Sequence, residues 1–312
     1  MSAQQALVAP VPRARPAARR GSLREALTGW LFSAPFLLIF LGFLALPILA
    51  SAILSFTDFS LGNLVDPLSA HFVGLSNYAK LLHDPNFLQA ALTTAIFVVF
   101  GTVLNLAVGL AAAVALNRGI NRFRAVFRVG YYLPVVSSIV AIAVIWRFLF
   151  NADFGVVNGA LQAVGIKGPD WLGNPNLAVG IIVALMVWRN FGNAMIIFLA
   201  GLQGIPNDLY EAARIDGANR WQEFRSITLP MLKPTTLLLT VVTTIGFLQV
   251  FEEPFVMTQG GPLNRTRPIS MYVYQQGFNF FHQGYASAMA YTLFVVIAAV
   301  TLIQFRLLRS QT

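Results

Sequence analysis

Residues able to perform covalent or metal chemistry are scarce in this 312-residue sequence. It contains no cysteine, so neither a disulfide framework nor a thiolate zinc site can form. The three histidines, His71, His83 and His282, are too scattered to suggest a metal cluster. No lysine follows a glycine, so the Gly-x-x-x-x-Gly-Lys pattern that holds ATP phosphates is absent. We therefore expect no catalytic residue, no metal site and no cofactor bound by this chain.

The polar residues that stand out lie within or beside long apolar stretches. Arg189 is near the middle of one stretch, close to Asn190 and Asn193. An ionisable group at that depth normally faces a polar pathway or a charged partner. Two interpretations are open: Arg189 lines a solute path with the two asparagines, or it pairs with Glu252 or Glu253 after the next stretch.

A second set of candidate path residues recurs at spacings of three and four, which places them on one helical face. The set is Thr243, Gly246, Val250 and Glu253. This face is a candidate wall of a translocation path, and its alternative is ordinary packing between helices.

The elements that must position these residues are apolar helices. Apolar residues make up 57% of the chain and charged residues 11%, and the mean hydropathy is +0.68. Soluble domains carry about 25% charged residues, so a soluble enzyme is excluded.

A bilayer core of about 30 Å requires roughly 20 apolar residues per helix. Six stretches meet this requirement: 29–56, 88–116, 126–150, 177–203, 235–251 and 285–308. We predict an all-α polytopic membrane protein with six transmembrane helices.

The distribution of basic residues predicts the orientation of these helices. If the loops alternate between two sides, 15 lysines and arginines fall on one side and 4 on the other. The positive-inside rule then places both termini and the loop at 204–234 in the cytoplasm. The basic flanks that set this orientation explain the net charge of +9, so membrane lipid and no nucleic acid is expected as a partner. We divide the chain into a basic cytoplasmic tail, 1–28, and a transmembrane domain, 29–312.

The loop at 204–234 is predicted to form two short helices. Pro206 suits a first helical turn, and Gly217 suits a left-handed cap at the end of the first helix. Asn219 and Gln222 have the spacing of a capping box that begins the second helix, and Pro230 is expected to end it. Apolar residues recur along both helices, so this hairpin either docks on a partner or folds back on its own membrane domain.

The residues of this loop closely resemble the EAA loop of ABC importer permeases. The matching residues are Glu211, Ala212, Ala213, Asp216, Gly217, Ala218, Phe224, Ile227, Leu229, Pro230 and Pro234. The resemblance implies that the hairpin is a coupling helix that docks into a groove on a cytoplasmic ATPase subunit. It assigns Glu211 a charge-assisted contact with that groove, and Ala212 and Ala213 a close approach to it. Gly217 makes the turn, while Asp216 either contacts the groove or caps the turn locally.

Other segments resemble the maltose-type carbohydrate permeases of type I importers. They are Phe-Val-Gly-Leu-Ser-Asn-Tyr at 72–78, Tyr-Tyr-Leu-Pro at 131–134, Met-Thr-Gln-Gly-Gly-Pro at 257–262 with Asn264 and Thr266, and Gly-Tyr-Ala-Ser-Ala at 284–288. The resemblance covers residues 30–309. It implies the type I permease fold and a carbohydrate substrate, with oligosaccharides and glycerol phosphates both open.

The same resemblance implies the partners. They are a second homologous permease forming a heterodimer, two ATPase subunits that bind ATP and Mg²⁺, and an extracytoplasmic sugar-binding protein. The chain would be a non-enzymatic subunit in the inner membrane of a prokaryote. The alternative is an autonomous secondary transporter or channel, which would have no need for an exposed hairpin of this sequence.

Overall fold

The computed structural model describes residues 23–66, 69–118 and 124–309 of the chain. Most of the predicted basic tail, 1–28, lies outside these ranges. The chain divides into two compact units, Met1–Ala50 and Ser51–Thr312. In the first unit, helix α1, Leu23–Phe40, continues through a π-turn at Leu41–Ala45 into α2, Leu46–Leu54. Most of the apolar side chains described in this unit are exposed, as suits a helix solvated by lipid.

The second unit is built from the helices that follow. They are α3 (Ser76–His83), α4 (Pro85–Arg118), α5 (Arg124–Val136), α6 (Ile139–Leu149), α7 (Val156–Ala163), α8 (Pro175–Gln203), α9 (Asn207–Ile215), α10 (Arg220–Glu223), α11 (Leu229–Met231), α12 (Lys233–Leu248), α13 (Glu252–Thr258), α14 (Ile269–Tyr274) and α15 (Gln283–Arg309). Across the described ranges no strand is present, and a single antiparallel bridge joins Thr57 to Phe72.

The helices supply the predicted membrane spans. Residues Leu27–Leu54, Pro85–Asn117, Pro175–Gln203 and Gln283–Leu307 form four helices long and apolar enough to cross a bilayer. Two bent pairs also meet this criterion when each is taken together: α5 with α6, at 95°, and the Arg220–Met231 helix with α12, at 65°. When each bent pair is counted as one span, the described chain has six, in agreement with the prediction.

The third span differs from the single run predicted at 126–150. Pro134 lies inside α5, and the break comes after it, at Ser137 and Ser138. The Ser137 hydroxyl donates to the Leu133 carbonyl, and the Ser138 side chain caps α6 by accepting from the Ala141 amide. Serine side chains that bond to nearby backbone groups compete with the helical ladder, which explains why the run turns here.

The centre of the second unit is the long contact of α4 with α8, to which α5 and α12 add. Glycines allow the helices to approach closely. A Cβ on Gly109 of α4 would lie 2.6 Å from the Ala194 Cβ of α8, and one on Gly192 of α8 would lie 2.3 Å from the Tyr131 carbonyl oxygen of α5. The buried apolar core surrounds these crossings, with Phe198, Leu199 and Leu202 of α8 near the end of that helix.

Candidate functional site

The loop between α8 and α12 forms the predicted helical hairpin. Helix α9 ends at Ile215, and Gly217, just after it, has a φ of +80°, the left-handed conformation expected for the cap. The Asn219 side chain accepts from the amides of Trp221 and Gln222, and Gln222 Oε1 accepts from the Asn219 amide at 2.7 Å. Both the left-handed glycine and the capping box are therefore confirmed.

Two side-chain contacts hold the arms of the hairpin together. Arg214 Nε of α9 donates to Glu223 Oε1 of α10 at 2.8 Å, and the Glu223 side chain is 4% exposed. Tyr210 and Thr228 share a hydrogen bond of 3.0 Å between their hydroxyls. Sequence reasoning missed both contacts. Opposite charges on either side of the Gly217 turn were the available signal for the ion pair.

The periodic apolar residues of the second arm face two ways. Ile227 packs with Tyr210 against the core cluster that contains Leu202 and Leu232. Trp221 and Phe224 instead stack on each other, with ring centroids 5.7 Å apart, and Trp221 is exposed. One face of the hairpin therefore folds back on the membrane body and the other is exposed, while docking of the exposed face on a partner stays a prediction.

The uncovered face carries most of the predicted coupling residues, Ile227 being packed on the membrane body. Glu211, Ala212, Asp216 and Gly217 are exposed, while Ala213, Ala218 and Phe224 are partly buried. Ile215, between them, is 87% exposed. The backbone amide of Asp216 donates to the carbonyls of Ala212 and Arg214. In the described chain, backbone hydrogen bonds and not the Asp216 side chain therefore close the end of α9.

Pro230 does not end the second arm as predicted. The chain passes from α10 through a π-turn at Phe224–Thr228 into α11, which contains Pro230, and turns only at Leu232. Proline cannot donate to the ladder and its ring clashes with the preceding turn of an α-helix. The wider π-turn before it accommodates the proline, and the 65° bend follows between Met231 and Lys233.

The predicted path residues line one cavity of about 460 Å³ between α4, α8, α12 and the start of α13. Its lining includes every candidate: Arg189, Asn190, Asn193, Thr243, Gly246, Val250 and Glu253, together with Asn105 and Glu252. The predicted single helical face is interrupted, because α12 ends at Leu248, so that Val250 follows it and Glu253 belongs to α13. The four residues still line one cavity, and its role in transport stays a prediction. Asn105 was not predicted, because the α4 sequence around it does not distinguish an asparagine that lines a cavity from one that packs between helices.

The polar atoms of the cavity are only partly satisfied. Arg189 forms no ion pair within 4.0 Å in the described parts of the chain, although Glu253 experiences its charge. The Nε of Arg189 and the Oδ1 of Asn105 are buried without a hydrogen-bond partner. Asn190 Nδ2 donates to the Met186 carbonyl. Arg189 thus lines one cavity with the asparagines and both glutamates, and in the described chain it is not paired with either glutamate.

The motifs at 72–78 and 284–288 connect loops at the end of the second unit opposite the hairpin. Asn77 Nδ2 donates to the carbonyls of Ser55 and Thr57, and the Tyr78 hydroxyl donates to Ser55 Oγ. A Cβ on Gly284 would lie 2.2 Å from the Thr57 carbonyl oxygen, so only glycine leaves room for this approach. These residues join the segment at 55–59 to α3 and to the start of α15.

The motif at 257–266 forms a compact turn at the same end. Gln259, Gly260, Leu263 and Asn264 all have positive φ. The hydroxyls of Thr258 and Thr266 share a 2.7 Å hydrogen bond across the turn. The turn delivers the chain from α13 to α14, and its polar groups serve its own closure.

Separate segments at this end are joined by hydrogen bonds to the half-buried carboxylate of Asp84. The hydroxyls of Tyr272 and Tyr285 each donate to Asp84 Oδ2 at 2.7 Å. Burial acts to raise the pKa of the Asp84 carboxyl, but the hydrogen bonds from Tyr272, Tyr285 and the amides of Asn86 and Phe87 outweigh it and lower that pKa below its usual value. Burial and the bond to Asp84 raise the pKa of Tyr272 to about 12.

Comparison with known proteins identifies the family. Residues 105–311 match the family described as "Binding-protein-dependent transport system inner membrane component". The chain belongs to this family. This permease is 38% identical over 294 residues to the lactose transport system permease protein LacF of Rhizobium radiobacter, covering 92% of this chain and 96% of that protein. It is 36% identical over 280 residues to the arabinooligosaccharides transport system permease protein AraP of Bacillus subtilis (strain 168), covering 89% and 87%.

A solved structure supports the same assignment. The permease superimposes with a TM-score of 0.80 on a chain of a bacterial ABC transporter that imports the acidic polysaccharide alginate, at 26% identity and with 92% and 98% of the two chains covered. It therefore has the type I importer permease fold. It is a membrane-spanning permease component of a binding-protein-dependent sugar importer and not an enzyme.

Proposed function

We propose that the hairpin at 204–234 is the EAA coupling element through which separate ATPase subunits drive this permease. The observation that carries the proposal is the division of its faces: Ile227 and Tyr210 pack on the membrane body, while Glu211 and Ile215 remain exposed. An ATPase subunit bound to the exposed face would move the hairpin as one body, because the Arg214–Glu223 ion pair joins its two arms. ATP and Mg²⁺ would act on those ATPase subunits.

The complete importer, in this proposal, contains a second homologous permease, two ATPase subunits and an extracytoplasmic sugar-binding protein. A related bacterial importer has been crystallised in complex with a pentasaccharide-bound periplasmic protein, which supports the last of these. We place both termini, the tail at 1–28 and the hairpin in the cytoplasm, following the distribution of basic residues. The transmembrane domain, 29–312, supplies half of the translocation path.

We assign this chain's share of the path to the cavity on α8 and α12. Arg189, Asn190, Asn193, Thr243, Gly246 and Glu253 contribute to one polar space beside the apolar core. Polar side chains at membrane depth cost free energy unless they face a pathway or a partner, and here they converge on one cavity. The related proteins named above act on lactose, arabinooligosaccharides and alginate, so a carbohydrate is the proposed solute.

The test of coupling is co-purification from the native membrane. We expect affinity-tagged wild type to bring down an ATPase and a second six-span protein. The Glu211→Arg, Gly217→Val double variant should lose the ATPase and retain the second permease. Valine strains a position with φ of +80°, and arginine reverses the exposed charge of Glu211.

Gly217→Asn is the matched control, because asparagine tolerates the left-handed conformation far better than valine does. It should keep the ATPase. Recovery of the wild-type chain alone, or of an unchanged complex from the double variant, would contradict the coupling role and favour an autonomous transporter.

A further inference from the structure

The charges of the membrane cavity are unequal. Among the described residues that line it, Arg189 is the one cation, while Glu252 and Glu253 are both carboxylic acids. With both acids ionised the wall carries a net negative charge, and with one protonated it carries none. In neither state does this wall attract an anion by its net charge.

The hydrogen-bonding groups of the cavity include both acceptors and donors. Asn105 is 2% exposed, and its Oδ1 has no hydrogen-bond partner among the described residues. Glu252 and Glu253 add carboxylate acceptors, and the side chains of Arg189, Asn193 and Gln249 add donors on the same wall. Sugar hydroxyls can donate to these oxygens and also accept from the arginine.

From these observations we infer that the cavity accepts uncharged saccharides and rejects saccharides that carry carboxylate, sulfonate or phosphate groups. The inference rests on the proposed role of the cavity as the solute path and specifies its substrate class. An anionic sugar would lose its hydration beside two glutamates and gain a single arginine in return. A neutral polyol satisfies the same acceptors at no such cost.

The test compares two trisaccharides of similar size, neutral maltotriose and anionic trigalacturonate. The importer complex is purified from its native membrane into nanodiscs, and dissociation constants are measured by saturation-transfer NMR without the binding protein. For wild type we expect maltotriose to bind at least about tenfold more tightly than trigalacturonate, the size of effect that one extra charge at close range produces.

The variants show whether the cavity causes this preference. Glu253→Gln removes one charge with little change of shape and should reduce the preference by about tenfold. Glu252→Gln, at a more exposed position on the same wall, should act in the same direction and covers the case in which Glu253→Gln fails to fold. Asp153→Asn removes an exposed carboxylate outside this cavity and should leave the preference unchanged.

Each outcome bears on the inference separately from the proposed function. Equal or tighter binding of trigalacturonate by wild type would overturn the inference, as would an unchanged preference in both glutamine variants. Either result with an ATPase still co-purifying would leave the importer assignment intact. Binding of neither saccharide would overturn the inference and the assignment of the path together.

Discussion

At the scale of single residues, the hairpin depends on an asymmetric ion pair. Glu223 is buried, whereas the Arg214 side chain is 64% exposed. Removing the two partners should therefore have different costs. Without Glu223, the arginine still has water around it, but without Arg214 a buried carboxylate loses its charged donor.

We predict that Arg214→Ala destabilises the hairpin more than Glu223→Gln does, by roughly 1–3 kcal/mol. The glutamine keeps the shape and can still accept from Arg214 Nε. The measurement is thermal unfolding of the purified complex, with maltotriose-stimulated ATP hydrolysis as the readout of coupling. We expect Arg214→Ala to lower both, and Glu223→Gln to retain most of both. The opposite order would mean that the pair does not hold the arms of the hairpin.

At the scale of whole elements, glycines at helix crossings determine how closely the spans pack. Gly192 of α8 faces the backbone of α5 with no room for a Cβ, whereas a Cβ on Gly180 of the same helix would have nothing within 4 Å. The two glycines therefore form a matched pair in one helix. Alanine favours helix formation over glycine at both positions, so only the crossing distinguishes them.

We predict that Gly192→Ala lowers the stability of the permease by about 1–3 kcal/mol, the usual cost of overpacking. Gly180→Ala should be neutral or slightly stabilising. Thermal unfolding in one detergent, followed by the fluorescence of the native tryptophans, would measure both. Equal unfolding temperatures for the two variants would show that α5 moves away without cost and that the crossing does not limit packing.

At the scale of the whole molecule, hydropathy and motifs predicted the spans, the hairpin and the family, because these depend on local patterns. The bend between α5 and α6 and the persistence of the second arm through Pro230 were not predictable. They depend on how serine side chains and a π-turn redistribute backbone hydrogen bonds. Asn105 was missed for a related reason, since its place in the cavity is decided by α8 and α12 and not by its neighbours in sequence.

Contacts between distant segments are the part of the fold that local patterns reveal least, and Asp84 is the clearest example. Its carboxylate accepts from Tyr272 and Tyr285, which follow it by 188 and 201 residues. The pKa of Asp84 is lowered below its usual value, so these contacts stabilise the fold at pH values above the pKa of the unfolded aspartate, about 3.9. That contribution is lost as the pH falls through the lower pKa of the folded protein.

We predict that Tyr272→Phe destabilises the permease by about 1 kcal/mol at pH 6, a modest value because Asp84 is only half-buried. The deficit should shrink as the pH falls below about 3.9, because the unfolded aspartate then takes up a proton that the hydrogen-bonded carboxylate of the folded protein resists. Toward alkaline pH it should persist up to about pH 10, since Tyr272 keeps its proton until its raised pKa of about 12.

Tyr274→Phe in the same helix is the control, because the Tyr274 side chain has ring contacts and no hydrogen bond in the described chain. Thermal unfolding at pH 3, 6 and 9 measures all three proteins. A deficit of Tyr272→Phe that is the same at pH 3 and pH 6 would show that Tyr272 contributes packing alone, and that the carboxylate does not join these segments.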